Sequence, residues 1–366
     1  MVAKEKLGQF IREVSIYNKN LDYDNLLGVS TQKKFIPSIA NTNGTDFSKY
    51  KVVSKNQFTY VPDTSRRGDK IAIALYLDEK PSIVSSAYTV FEINSDRLLP
   101  EFLMLWFDRE EFDRLARFKS YGSVREIFDW NEMCDLEIPL PEIEMQRKII
   151  DLNNKFNNQI LLYENLDNNL LNLYKAKYHS LFDSLDETEE ILEYINFIGG
   201  AQPPKSEHIY ENKEGYIRFI QNRDYSSNNA LTYIKNSKRN KICDEYDIMM
   251  DKYGDVGSTR FGLAGAYNVA LAKIECKDDS YKEYIRGFLM QDSIYRFINN
   301  AAIASTRGSL NESVFKGLKI AIPEQPKLIE FNNIGSVIIR KIVNNRKKKY
   351  ILEELRNKII IDKLFS

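Results

Sequence analysis

The chain has 366 residues, room for two or three domains of ordinary size. Its 52 basic and 52 acidic side chains cancel, so overall charge gives no pull toward nucleic acid, and such a role must rest on local clusters. Cys134, Cys243 and Cys276 stand far apart and His179 and His208 are the two histidines, a supply that argues against a disulfide framework, a zinc site or histidine-based catalysis.

The opening MVAKEKLGQF lacks the apolar stretch of a secretory signal. No apolar run approaches the roughly 18 residues of a membrane span. A cytoplasmic location with no membrane partner is the expectation. Runs at 70–76 and 83–93, bounded by Gly, Pro, Asn and Asp, predict strands. Residues 100–119 predict a helix. Gly122-Ser123-Val124-Arg125 follows, then the apolar run IPLP ending at Pro141. From 143 to 182 the residues Met145, Ile149, Leu152, Phe156, Gln159, Tyr163, Leu166, Leu170 and Leu173 step by four and three, the spacing of a heptad seam. Many asparagines flank that seam and are poor helix formers, so tertiary pairing must hold the helix. At 1.5 Å per residue it extends about 60 Å.

The second half repeats this order. Strands are predicted at 216–220, 246–250 and 267–274, and a helix at 280–300. Gly308-Ser309-Leu310-Asn311 and the run IAIP ending at Pro323 come next. Pro141 and Pro323 stand 182 positions apart, as do the starts of FLMLWFDREEFDRLARF (102–118) and YIRGFLMQDSIYRFINN (284–300). A second long helix should begin after Pro326, with Ile334, Ile338 and Ile342 forming one apolar patch and Leu352, Leu355 and Ile359 another. The copies end in Leu181-Phe182 and Leu364-Phe365. A period this long is a domain duplication. The expected fold class is α+β, with modules at 1–141 and 183–326 and long helices at 142–182 and 327–366. Antiparallel pairing of the helices into a coiled-coil rod would bury both seams and set the modules at opposite ends.

Phosphate contacts need Lys and Arg, and base reading needs side chains that reach groove edges. In the first module Arg66, Arg67 and Lys70 form a basic loop after Tyr60-Val61-Pro62. In the second, Lys252-Tyr253-Gly254 and Ser258-Thr259-Arg260 make a glycine-punctuated loop suited to close backbone approach. Asn222, Arg223, Lys238 and Arg239 are further candidates, and Arg125 and Arg307 lie near the two Gly-Ser elements. Each competes with the plainer reading of a solvated surface charge. Arg340-Lys341 and the run from Arg346 to Lys349 suit spacer phosphates, an acidic partner face or plain solvation.

Two rival classes are open at this stage. Glu275-Cys276-Lys277, with Asp255 twenty positions earlier, has the spacing of a metal-dependent nuclease, which needs paired carboxylates and a lysine near the attacking water. That spacing is common by chance. A methyltransferase is disfavoured, because no Asn-Pro-Pro-Tyr or Asp-Pro-Pro-Tyr string occurs and Phe261-Gly262-Leu263-Ala264-Gly265 reads as a turn. A coiled-coil scaffold without DNA binding draws support from the zero net charge.

The order module, long helix, module, long helix resembles the specificity subunit of type I restriction–modification enzymes across essentially the whole chain. The resemblance is carried by the Gly-Ser elements, by IPLP and IAIP leading into long helices, and by the helix entry from Glu142 to Gln146. It is carried also by Gly199-Gly200-Ala201-Gln202-Pro203-Pro204, by Tyr216-Ile217-Arg218-Phe219-Ile220 and by DIMMDKYGDVGS at 247–258. Pro326 interrupts the acidic-glutamine helix entry in the second copy. The resemblance implies two target-recognition domains, each reading half of a split asymmetric site in double-stranded DNA across a helical spacer. It implies two modification subunits on the helices, holding S-adenosylmethionine, and restriction subunits that use ATP and magnesium. The chain itself would hold no cofactor and do no chemistry.

Overall fold

The computed structural model describes residues 4–38, 44–64, 70–120, 126–228, 230–304 and 309–363. These fall into two compact units, one of residues 1–159 with 352–366 and one of residues 160–351.

The first unit contains strands β1 (Lys4–Lys6), β2 (Ile11–Val14), β3 (Leu26–Val29), β4 (Phe35–Pro37), β5 (Lys51–Val53), β6 (Gln57–Tyr60), β7 (Ile73–Leu75), β8 (Ser82–Val84), β9 (Thr89–Ile93) and β10 (Glu137–Pro139). Helices α1 (Pro100–Phe107), α2 (Glu110–Lys119) and α3 (Trp130–Cys134) precede β10, and the long helix α4 (Ile143–Phe182) follows it. One antiparallel sheet has the order β2-β9-β6-β7, and the other, β4-β3-β8-β5, carries a parallel β3–β8 pair. β1 pairs with β10 and closes the module just before the long helix. The core is aromatic. Phe58 stacks on Phe91 at 4.9 Å, and Phe107 meets Phe112 at 4.7 Å. Such pairs are stabilised beyond their buried area by edge and face electrostatics.

The second unit repeats the plan with β11 (Glu189–Glu190), β12 (Ile195–Gly199), β13 (Tyr216–Ile220), β14 (Tyr233–Lys235), β15 (Ile242–Cys243), β16 (Ile248–Asp251), β17 (Thr259–Arg260), β18 (Gly265–Tyr267), β19 (Leu271–Cys276) and β20 (Lys319–Ile320). Its helices are α5 (Lys282–Leu289), α6 (Asp292–Ile303), α4 from residue 160 onward and the long α7 (Gln325–Arg356) as far as residue 351. The sheet orders are β12-β19-β16-β17 and β14-β13-β18-β15, with β13–β18 parallel, and β11 pairs with β20. Strand for strand this is the first module's topology, so the duplication inferred from the 182-residue offset is present in the fold.

Three local expectations are corrected. The helix over 100–119 is two helices, because Arg109 is extended (ψ 141°) while Glu110, Glu111 and Asp113 crowd the first turn of α2, where acidic groups face the positive helix end. The second copy breaks in the same place, with Gln291 extended ahead of α6. The run 83–93 is also two strands, β8 and β9, separated by a turn in which Tyr88 N–H donates to Ser85 at 3.0 Å. The run 267–274 splits likewise into β18 and β19 at Asn268. In each module one apolar run therefore feeds both sheets.

The third correction concerns the helix seam. Ile149 is buried, and Phe156, Tyr163 and Leu170 are half-buried, as the heptad requires. The alternate set is displaced by one residue. Met145, Leu152, Leu166 and Leu173 are exposed, whereas Gln146, Asn153, Ile160, Asp167 and Tyr174 face inward. The polar members have partners that the heptad count did not weigh. Gln146 accepts from Leu99 N–H at 2.9 Å and donates to the carbonyls of Arg97 and Pro141, both at 2.8 Å, tying α4 to the entry of α1. Asp167 accepts from Asn345 at 2.8 Å. In the second copy the interrupted entry at Pro326 is compensated by Asn332, which accepts from Glu283 N–H at 3.3 Å and donates to the Ser280 carbonyl.

The long helices pair antiparallel. In the second unit Lys177 meets Glu330 at 2.7 Å, and Lys349 meets Glu164 at 2.7 Å. Ile338, Ile339, Ile342 and Val343 share a core with Tyr174 and Leu170. In the first unit Arg356 donates to Asn157 at 2.9 Å, and Ile359 and Ile360 pack with Ile149 and Phe156. The α7 seam shows the same one-residue displacement, for Ile334 and Leu355 are exposed while Gly335 is buried. A Cβ on Gly335 would lie 3.0 Å from the Tyr174 ring, so the bare glycine lets the two helices close there.

Candidate nucleic-acid interface

Both modules join the same two segments. In the first, Phe128 N–H donates to the Pro62 carbonyl and Thr64 N–H to the Glu126 carbonyl, each at 3.0 Å. Residues 62–64 lead into the basic loop and 126–128 leave the Gly-Ser element. In the second module Leu310 N–H donates to the Lys252 carbonyl at 3.1 Å, and Leu310 lies 182 positions after Phe128. The segment after β6 is thus stitched to residues 126 and 128, and the segment after β16 to Leu310. Phe128 and Leu310 are fully buried and anchor the stitch.

Arg66, Arg67, Arg125 and Arg307 lie outside the described residues, as do Gly122 and Gly308. Lys70 is exposed. Beside it, Ile71 N–H donates to Asp113 of α2 at 3.1 Å. Asp113 also holds Lys33 at 3.0 Å, with both side chains buried. Burial pushes the Asp113 carboxyl up and the Lys33 ammonium down, while their attraction opposes both shifts. A buried pair of this kind is costly to break from one side, because the survivor is left uncompensated. Here it fixes the β3–β4 turn, the start of α2 and the exit of the basic loop to one another.

In the second module Asn222 donates to the Tyr253 carbonyl at 3.1 Å, and Tyr253 is 47% exposed. Lys252 extends its ammonium 5.9 Å from the ring centre of Phe197, in the middle of β12. The Gly199-Gly200 turn follows, and a Cβ on Gly200 would sit 1.9 Å from the Asn268 carbonyl, so only glycine fits. Arg223 is exposed next to Asn222. Segments spread over more than a hundred positions therefore meet on one surface: the Gly-Gly turn, Asn222-Arg223, Lys252-Tyr253 and the exit of the second Gly-Ser element. Lys238 and Arg239 are exposed on a different turn, between β14 and β15, which is held by Asn240 on the Lys235 carbonyl at 3.0 Å.

Arg260 is placed otherwise. Its Nε and Nη2 donate to Asp251 at 3.0 and 2.8 Å, and Nη2 donates to Asp255 at 3.1 Å. Burial lifts the Asp251 carboxyl, and the Arg260 guanidinium pulls it back. The basic run on α7 is also engaged within the chain. Arg346 lies 4.5 Å from the Phe261 ring centre and donates to the Phe261 carbonyl at 3.0 Å, Lys347 pairs with Glu245 at 2.5 Å, and Lys349 pairs with Glu164. Residue types alone did not mark Phe197, Asp251 or Asp255 as parts of this surface; strand register was needed.

The residues of the rival nuclease reading are also engaged. Glu275 accepts from Asn196 at 3.3 Å, Lys277 donates to the Leu192 carbonyl at 2.9 Å, and Asp255 is held by Arg260, Tyr295 and Ser258. Among the described residues no group of three His, Cys, Asp or Glu side chains is placed to hold a metal ion, and no helix is long and apolar enough to cross a membrane.

Twin two-sheet modules, each feeding one long helix, with the helices paired antiparallel within each unit, define a duplicated chain. No family model matches the chain. It is 23% identical over 309 residues to the type I restriction enzyme MjaIX specificity subunit of Methanocaldococcus jannaschii, a match that covers 75% of this chain and 70% of that protein. The type I restriction–modification S subunit from M. genitalium has the same fold, with a TM-score of 0.59 at 13% identity over 100% of this chain and 96% of that one. By sequence the chain is thus similar to a type I restriction enzyme specificity subunit, and it shares the fold of a type I restriction–modification S subunit.

Proposed function

We propose that each module reads one half of a bipartite, asymmetric site in double-stranded DNA, and that the paired helices set the spacing between the halves. The observation that supports this reading is the stitch shared by both modules, in which the segment after β6 bonds to residues 126 and 128 and the segment after β16 bonds to Leu310. In the first module Lys70, with Arg66, Arg67 and Arg125, would serve the DNA. In the second module Lys252, Tyr253, Asn222 and Arg223 would do so, with Arg307, Lys238 and Arg239 as outer contacts. Lysine and arginine would supply salt-dependent affinity, and Tyr253, whose carbonyl Asn222 holds, would reach base edges. The modules differ in those residues, so the half-sites should differ.

The partner reading rests on α4 and α7. Leu152 and Leu173 are exposed on α4, and Ile334 and Leu355, each 182 positions on, are exposed on α7. Apolar side chains left bare at repeated positions suit two copies of one helical partner. These would be two modification subunits, which bind S-adenosylmethionine and receive the flipped adenine. Restriction subunits with ATP and magnesium would join them for cleavage.

The test is co-expression with the cognate modification subunit, followed by mapping of methylated positions across the host genome. A split motif with two unlike halves is the expected result. A continuous or palindromic motif, or no methylation, overturns the reading.

A further inference from the structure

Resting on the reading of this surface as a DNA interface, we propose that Arg260 is a positioning residue for the second half-site: it fixes the turn that carries Lys252 and Tyr253 and does not itself bind phosphate. Asp251 ends β16 on one side of that turn and Asp255 lies on the other. The single guanidinium of Arg260 holds both, through the three bonds of 2.8 to 3.1 Å described above. Asp251 is 2% exposed, so the clamp is rooted in the core.

The turn is braced further from α6. The Tyr295 hydroxyl donates to Asp255 at 2.8 Å, and Asn299 donates to the Val256 carbonyl at 2.9 Å. The residue after Arg260 is held as well, since Phe261 lies beneath the guanidinium of Arg346. A guanidinium shared by two carboxylates has its charge satisfied within the protein and offers little to a phosphate. Lys252 and Tyr253, by contrast, ride on the turn so fixed. Holding such a turn in its bound shape lowers the ordering cost of binding and sharpens discrimination. Only arginine presents the planar fork this clamp uses; lysine is a point charge.

The measurement uses the full chain in complex with its modification subunits. Affinity is read over a salt series for a duplex carrying the methylated motif and for one with the second half scrambled. Arg260→Gln and Arg260→Lys should both reduce the preference for the correct second half about tenfold, the weight of one misread base pair, and leave the salt slope unchanged. Lys252→Gln should instead lower that slope by about 0.9, the signature of one lost phosphate contact. Tyr295→Phe, which keeps Arg260, should reduce the preference in the same direction by a smaller factor and guards against misfolding of the Arg260 variants. Overturning results are a lowered slope for Arg260→Gln with wild-type behaviour of Arg260→Lys, which would make Arg260 a phosphate contact, or unchanged preference in both. If Lys252→Gln, Tyr253→Ala and Arg223→Gln all leave affinity, preference and slope untouched, the interface itself is misassigned, a failure separate from that of the clamp.

Discussion

Asp247 lies between Lys273, at 2.9 Å, and Lys282, at 3.6 Å, and its carboxylate also accepts from Asp244 N–H at 2.9 Å. Burial pushes its carboxyl up, but these partners outweigh burial and hold it below the ordinary range. The fold therefore favours the charged form. That contribution is present above the unfolded value, about 3.9, and is lost as pH falls through the lower folded one. Asp247→Asn should reduce unfolding free energy by about 1–3 kcal/mol at neutral pH. In urea titrations the gap to the parent should narrow as pH falls below the carboxylate range; a gap that persists in acid contradicts the assignment. Arg260 shows why side-chain partners were hard to read from sequence. Its glycine-punctuated surroundings suit a DNA contact, and its partners Asp251 and Asp255 lie in plain view a few positions earlier. What the string does not carry is the register that sets Met249 opposite Arg260 and brings those carboxylates to its guanidinium.

At the scale of elements, the heptad on α4 was legible in period but not in phase. Apolar residues at 145, 152, 166 and 173 outnumber the polar ones beside them, so counting hydrophobicity selects the wrong stripe. Gln146 is buried and Asp167 half-buried because they bond to segments far away in sequence, and no local pattern contains those segments. The displaced leucines then become available to a partner. Leu152→Lys with Leu173→Lys should change stability by less than about 0.5 kcal/mol each, as exposed positions do, yet weaken capture of the modification subunit. Chemical unfolding and co-purification read the two effects. Loss of folding without loss of capture would place those side chains in the core after all. The strands were legible as apolar runs, but the turns at Ser85 and Asn268 that share each run between two sheets were not, since a short polar break looks the same inside a strand and between strands.

At the scale of the whole molecule, the duplication was the most legible feature, because a nearly constant offset, 182 residues at Pro141 and Pro323, survives where pairwise identity does not. The structure returns it as matching sheet orders, matching parallel pairs and the same stitch, from Phe128 and from Leu310, to the segments after β6 and β16. From this follows the central claim, that each module reads its own half-site. The direct measurement replaces residues 1–141 with the corresponding module of another specificity subunit of known motif, and maps methylated positions in cells that supply the modification subunit. One half of the motif should change to that of the donor while the other half stays as it was. A change in both halves, or in neither, contradicts independent reading by two modules.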